Sequence, residues 1–154
     1  MAGADAFYAA YLSTSRGGGV PDAAARARYA PAISSTLAGL LDGAAKAEED
    51  FAQITKGQVP PLLEGDIFTS LFEGATAYTV GGCKENGDSA TCVISLTHAE
   101  PGQKPISWTD MALLAKGADG WRLDDIGYGG SWDFSNKGKL SETLKFAIAN
   151  ARGD

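Results

Sequence analysis

Two cysteines bracket a turn sequence, and their placement restricts this chain more than any other feature. Cys83 and Cys92 are its only cysteines, with Lys84-Glu-Asn-Gly-Asp-Ser-Ala-Thr91 between them. A two-residue turn at Gly87-Asp88 pairs Asn86 with Ser89 as the hydrogen-bonded closing pair. Glu85 then faces Ala90, Lys84 faces Thr91, and Cys83 faces Cys92. Alternation makes the cysteine pair non-hydrogen-bonded, with Cα atoms about 4.5 Å apart. That lies at the short edge of the range a disulfide accepts, roughly 4.4–6.8 Å. The competing turn, Asn86-Gly87, is the stronger generic hairpin signal. It places Cys83 opposite Ala90 and leaves Cys92 two residues further along, unless a longer loop restores the pairing. A disulfide is expected if the protein is exported, because cytosolic proteins rarely keep one. The alternative is two free thiols acting as small buried hydrophobes. The spacing is not Cys-x-x-Cys and no histidine lies nearby, so no metal site is expected.

A cysteine pair of this kind needs strands on either side. Four runs read as strands: 75–83, 90–98, 105–116 and 120–128. The second and third are separated by Glu100-Pro101-Gly102, and the last pair by Ala118-Asp119-Gly120, where Asp-Gly is a good hairpin turn. Short turns between successive strands imply an antiparallel meander. Helical spacing precedes this region. In residues 5–15, Phe7 and Tyr11 are four apart, as are Tyr8 and Leu12, with Asp5 as the cap. Arg16-Gly-Gly-Gly19 ends that helix; Pro21-Asp22 opens a short Ala- and Arg-rich helix that Pro31 ends. Residues 31–55 form the clearest amphipathic helix, with Ile33, Leu37, Leu40, Leu41, Ala44, Phe51 and Ala52 on one face and Pro31 in its first turn. Residues 56–66 read as a loop, with Asp66 capping a short helical piece through Phe72. Leu140 to Ala151 returns to helical spacing. Helices grouped before an antiparallel sheet indicate α+β, not alternating α/β. Residues 1–154 are read as a single domain.

Composition narrows the function classes. The net charge is -6 with a pI near 4.7, and no basic stripe exists to meet phosphates, so nucleic acid is not an expected partner. No apolar run reaches the 18 or more residues of a membrane helix. The chain enters helical sequence at Asp5 without a basic stretch and apolar core. This fits a periplasmic or secreted protein whose signal has been removed, with Met1 an added start residue.

No catalytic motif is complete. His98 is the only histidine, no Gly-x-Ser-x-Gly elbow appears, and His98-Ala-Glu100 lacks a second histidine, so His98 reads as a polar strand-end residue. Gly138-Lys139 fails as a phosphate loop because Asp133 and Leu140 occupy required positions. Gly127-Tyr-Gly-Gly130 lacks the strand-turn-helix context of a dinucleotide fingerprint. Arg152-Gly153-Asp154 reads as a coincidental adhesion tripeptide. No cofactor is expected. Asp110 stands out because it shares strand parity with Ile106, Trp108, Ala112 and Leu114. An acid on an apolar face has its pKa raised by desolvation, the preparation of a general acid or base; the alternative is exposure there, or an arginine or hydroxyl that satisfies it. Asp124 and Asp125 point to opposite faces and cannot form a dyad, so one is expected to face solvent. Trp132 and Phe134 follow Gly129-Gly130, where they either cover a pocket mouth or anchor the last helix.

The opening Phe7-Tyr8-x-x-Tyr11-Leu12, the helix from Ile33 to Leu41 and the strand Gly120-Trp-Arg-Leu-Asp-Asp-Ile126 resemble the nuclear-transport-factor-like (cystatin-like) superfamily. Within it the chain looks like a family of bacterial exported or lipid-anchored proteins of unknown function. The resemblance implies N-terminal helices packed on a strongly curved antiparallel sheet of about four strands, with a cavity between; the C-terminal helix departs from that minimal fold. Superfamily enzymes such as ketosteroid isomerases and polyketide cyclases use Asp and Tyr or His in the cavity, but no local motif transfers those roles to positions here.

The reading that follows is a non-catalytic exported domain that binds a small molecule or a protein partner in or near the sheet–helix cavity, with Trp108, Asp110, Trp132 and Phe134 as candidate ligand contacts. An enzyme of lyase or isomerase type would use Asp110 as base and Tyr8 or Tyr11 as hydrogen-bond donor, converging within about 3 Å of one reacting atom. An immunity-type inhibitor is a third reading. Tyr78 and Val80 in one strand and Ile94 and Leu96 in the next need cover, either from a homodimer partner or from the final helix.

Overall fold

The computed structural model describes residues 2–14 and 18–151, so the 152–154 tripeptide and Arg16 and Gly17 of the 16–19 run lie outside the described residues. Helix α1 (Ala2–Ser13) begins earlier than its spacing suggests, which puts Asp5 in the first turn rather than at the cap. It buries Ala4, Phe7, Tyr8 and Tyr11, the three- and four-residue spacing of one helical face. Helix α2 (Ala23–Tyr29) is capped by Asp22, whose carboxylate accepts from the Ala25 N–H at 2.9 Å.

Pro31 does not open the long helix. It lies in a 3-10 turn (Ala30–Ala32), and the following Ile33 is extended and bridges Leu123 in parallel. Helix α3 (Ser35–Thr55) starts only after Ser34, whose hydroxyl accepts from the Leu37 N–H at 3.1 Å. A serine cap outranks the proline because it satisfies a free N–H of the first turn.

The sheet follows the expected meander: β1 (Ala77–Asn86), β2 (Ser89–His98), β3 (Ile106–Gly117) and β4 (Gly120–Gly127), antiparallel in the order β1-β2-β3-β4. The first hairpin adopts the Gly87-Asp88 register, with Asn86 opposite Ser89 and Cys83 opposite Cys92. Gly87 takes φ 63° at the first central position, where side chains are disfavoured. The cysteines form a disulfide with Cα atoms 4.0 Å apart, closer than expected. The register shifts between Val80 and Cys83, a bulge that interrupts the ladder of this edge strand. At the other hairpin the closing pair is Gly117 and Gly120, so the turn residues are Ala118-Asp119 and not Asp-Gly.

One face of the sheet is the core face: Ala90, Cys92, Ile94 and Leu96 from β2, Trp108, Ala112 and Leu114 from β3, Leu123 and Ile126 from β4. Tyr78 lies opposite Leu96 and Val80 opposite Ile94. Tyr78 meets the Tyr8 ring of α1 at 5.5 Å, and Ile94 and Leu96 are buried within the chain, while Tyr78 and Val80 stay half-buried. Helix α4 (Leu140–Ala149) buries Leu140, Leu144 and Ala147 and packs chiefly on α3. Asp124 and Asp125 are both half-buried, and neither is simply a solvent-facing acid. Asp124 accepts from Ser34 Oγ at 2.7 Å beside the start of α3, and Asp125 from the Ser141 N–H and hydroxyl at the start of α4. A carboxylate favours the positive end of a helix, so one strand orients two helices. Among the described residues, no helix is long and apolar enough to cross a membrane.

Candidate binding site

Between α3 and β1 the chain crosses the interior without regular structure. Residues 66–71 are all buried, although Asp66 was expected to cap a short helix there. A buried irregular backbone must find side-chain partners, because it has neither a ladder nor water. Here the accounting nearly closes. The Asp66 carboxylate accepts from Tyr11 Oη at 2.7 Å, from Thr69 Oγ1 at 2.9 Å and from the Phe68 N–H at 3.2 Å. Tyr128 Oη donates to the Ile67 carbonyl at 2.5 Å. The Asn136 side-chain amide donates to the carbonyls of Asp66 and Thr69, and its backbone N–H to that of Ser70. The bends form because these acceptors and donors outbid a helix.

Asp110 is the second anchor of this loop. It is 0% exposed on the apolar face of β3, where its parity places it. Its Oδ2 accepts from the Ser70 N–H at 3.0 Å and the Trp108 indole N–H at 3.2 Å; its Oδ1 accepts from Ser70 Oγ at 2.5 Å and the Gly129 N–H at 2.8 Å. Four donors match the lone pairs of a carboxylate. The side chain therefore joins β3, the 66–72 segment and the chain after β4, and in this state no lone pair is left for a substrate proton.

Tyr11, the second candidate donor, is committed to Asp66 and also accepts from the Ala75 N–H at 2.9 Å. Tyr8 is different. Its hydroxyl is the only buried side-chain nitrogen or oxygen without a partner among the described residues. Burial, followed by the nearby Asp110 charge, pushes Tyr8 far above the ordinary tyrosine pKa. Its ring packs edge-on to Phe7 at 5.1 Å. Phe7, Tyr11, Tyr29 and Phe68 fill the region where a sheet–helix cavity was expected, with Tyr29 and Phe68 centroids 5.1 Å apart.

The structure brings Trp108, Asp110 and Trp132 together: the Trp132 ring meets Trp108 edge-on at 5.7 Å. It does not bring Phe134 to them as a buried contact, since that ring is 83% exposed. His98 sits at the end of β2, as read from sequence, between the Gly74 carbonyl at 2.7 Å and Glu100 Oε1 at 3.0 Å.

Open space lies on the helical side. A cleft of about 530 Å³ runs between Gly18–Asp22, α3 at Ala45, Glu48 and Glu49, and the wall Pro61, Leu63, Glu64 and Gly65. A second cleft of about 230 Å³ shares Gly18–Asp22 and reaches Tyr29, Asp66 and Phe68. The outer wall is fixed to α3 because Glu48 accepts from the Leu62 and Leu63 N–H groups at 2.7 and 2.9 Å, and to its facing wall by a Gly19-to-Gly65 hydrogen bond of 2.6 Å. Arg26, the one cation of the lining among the described residues, is already tied to Asp42 and the Pro21 carbonyl. None of these residues was a candidate ligand contact in the sequence. Their glycines and prolines signal turns only, and nothing local says that the turns from either side of α2 and α3 meet.

Comparison with known proteins adds no neighbour: the chain matches no protein-family model, no curated protein and no solved structure. Function is therefore argued from the residues of this chain.

Proposed function

We propose that this is a non-catalytic exported binding domain, built on a nuclear-transport-factor-like plan, whose ligand enters the paired cleft between α2 and α3. The observation that carries the proposal is the cleft itself: two spaces sharing the Gly18–Asp22 wall, within the few-hundred-Å³ range of ligand sites, with Tyr29 and Phe68 at the inner end. Among the described residues of the lining, Glu48, Glu49, Glu64 and Asp22 stand beside Arg26, which is tied, and favour a ligand that joins an aromatic body to an amine. Export is supported by the disulfide. The non-catalytic reading is supported by Asp110, whose oxygens are occupied by structural donors. The superfamily plan is supported by the helix order and the four-stranded meander.

Chemical-shift mapping with a set of aromatic amines and matched aromatic acids tests the proposal. Amines are expected to shift the amides of Val20, Tyr29 and Ala45 more than acids do. Ala45→Trp, which fills the cleft from a half-buried position, is expected to abolish those shifts. Shifts centred on Trp108 and Trp132, or none with any probe, would reject the cleft.

A further inference from the structure

We infer that residues 129–135 form a lid, hinged at Gly129 and Gly130, that is closed in this structure over Asp110, Ser70 and Trp108. The inference is separate from the cleft reading, since none of these residues lines the cleft between α2 and α3. The segment contains neither helix nor strand. Three contacts seat it: the Gly129 N–H on Asp110 Oδ1 at 2.8 Å, the Gly130 N–H on Ser70 Oγ at 2.9 Å, and the edge of Trp132 on Trp108.

Within itself the segment is well tied. The Trp132 carbonyl accepts from the Ser135 N–H at 3.2 Å, from Ser135 Oγ at 2.8 Å and from Lys137 Nζ at 2.6 Å. It can therefore move as one piece. Asn136, bonded three times to the 66–70 backbone, holds the far end in place. The two glycines allow the close seat: a Cβ on Gly129 would fall 2.1 Å from the Thr109 carbonyl oxygen, and one on Gly130 would fall 2.1 Å from the Trp132 ring. Phe134, on the lid, has little contact to lose. Two hydrogen bonds, one ring edge and the packing of half-buried Trp132 and buried Ser135 are a small hold beside the ladders of the sheet, so the lid opens at a lower free energy than the whole fold.

Opening removes one N–H donor from Asp110 Oδ1 and one from Ser70 Oγ, and uncovers the Trp108 ring. The exposed site then takes a group that supplies N–H or O–H donors beside a flat apolar surface in place of Trp132. It also returns a lone pair to Asp110, which the closed state does not offer.

Hydrogen exchange followed by NMR at increasing sub-denaturing urea tests the lid. The Gly129 and Gly130 amides and the Trp108 indole N–H are expected to exchange at least tenfold faster than the amides of the β2–β3 ladder, with little dependence on urea. Trp132→Ala is expected to accelerate these three protons at least a further tenfold and leave the ladder unchanged. Exchange of all three at the rate and urea dependence of the ladder would overturn the lid. So would a Trp132→Ala variant in which every amide accelerates together.

Discussion

At the tip of the β1–β2 hairpin, backbone pairs with backbone and most side chains of β1 face water. In residues 66–71 the arrangement is inverted: the side chains are buried and the backbone has no ladder. Each region is held by something other than apolar packing alone. The hairpin, with an edge strand that contributes little to the core and a bulge that breaks its register, carries a disulfide. The buried segment is held by two carboxylates, an asparagine and Tyr128, which complete hydrogen bonds of its backbone, while Tyr11 holds the Asp66 carboxylate. The difference shows what each staple must supply. An exposed turn needs only a limit on its unfolded freedom. A buried one needs partners for each polar group it takes out of water.

Removing the partners therefore costs more than removing the covalent link. Asp110→Ala strips acceptors from the Ser70, Trp108 and Gly129 N–H groups, and a loss of about 4 kcal/mol is expected, read as a fall in the urea midpoint. A loss under about 1 kcal/mol would mean that water replaces the carboxylate and that the segment is not truly buried. The double variant Cys83→Ala/Cys92→Ala comes next, at about 2–3 kcal/mol for a loop this short. If it cost more than Asp110→Ala, the ranking of the two staples would be reversed.

Alkali probes the buried side without mutation. Burial raises the pKa of both Tyr8 and Tyr128 in the fold, whereas the unfolded chain ionises its tyrosines near pH 10. The stability linked to these groups is thus fully present below pH 10 and is lost as the pH rises above it. A loss of about 1 kcal/mol from each is expected between pH 10 and 11. Urea titrations at several pH values measure the loss, and absorbance near 295 nm, an expected phenolate signal, reports when each tyrosine ionises. Ionisation of all five tyrosines near pH 10 in the folded protein would contradict the burial argument.

The smallest effects separate two tyrosines of the same interior. Tyr128→Phe leaves the Ile67 carbonyl without its donor and is expected to cost about 1 kcal/mol. Tyr8→Phe removes a hydroxyl that has no partner, and is expected to leave stability unchanged or raise it by up to about 1 kcal/mol. A clear destabilisation by Tyr8→Phe would show that this hydroxyl is hydrogen-bonded in solution.

The hairpin was legible because everything that sets it is local. The sequence offers two local registers, and the one the structure adopts, with the turn at Gly87-Asp88, lets alternation from Asn86 bring Cys83 opposite Cys92, whereas the stronger generic turn, Asn86-Gly87, does not. The parity of Trp108, Asp110 and Ala112 was legible for the same reason. The helix read from Pro31 begins instead at Ser35, because Ile33 is drawn into a bridge with Leu123, 90 residues away. The 66–72 segment looked like a helical piece because its apolar spacing was visible and its partners were not.

Strand order and the shared parity of Asp110 with Trp108 and Ala112 follow from the sequence by itself, since they depend on alternation and short turns; of the two hairpin registers the sequence allows, the structure selects Gly87-Asp88 and with it the disulfide. Which donors surround Asp110, that Asp66 serves a loop and not a helix, and where space remains open between α2 and α3 were decided only in the tertiary structure. The physical reason is that a buried polar group is fixed by partners that can lie anywhere in the chain, so its role cannot be read from its neighbours in sequence.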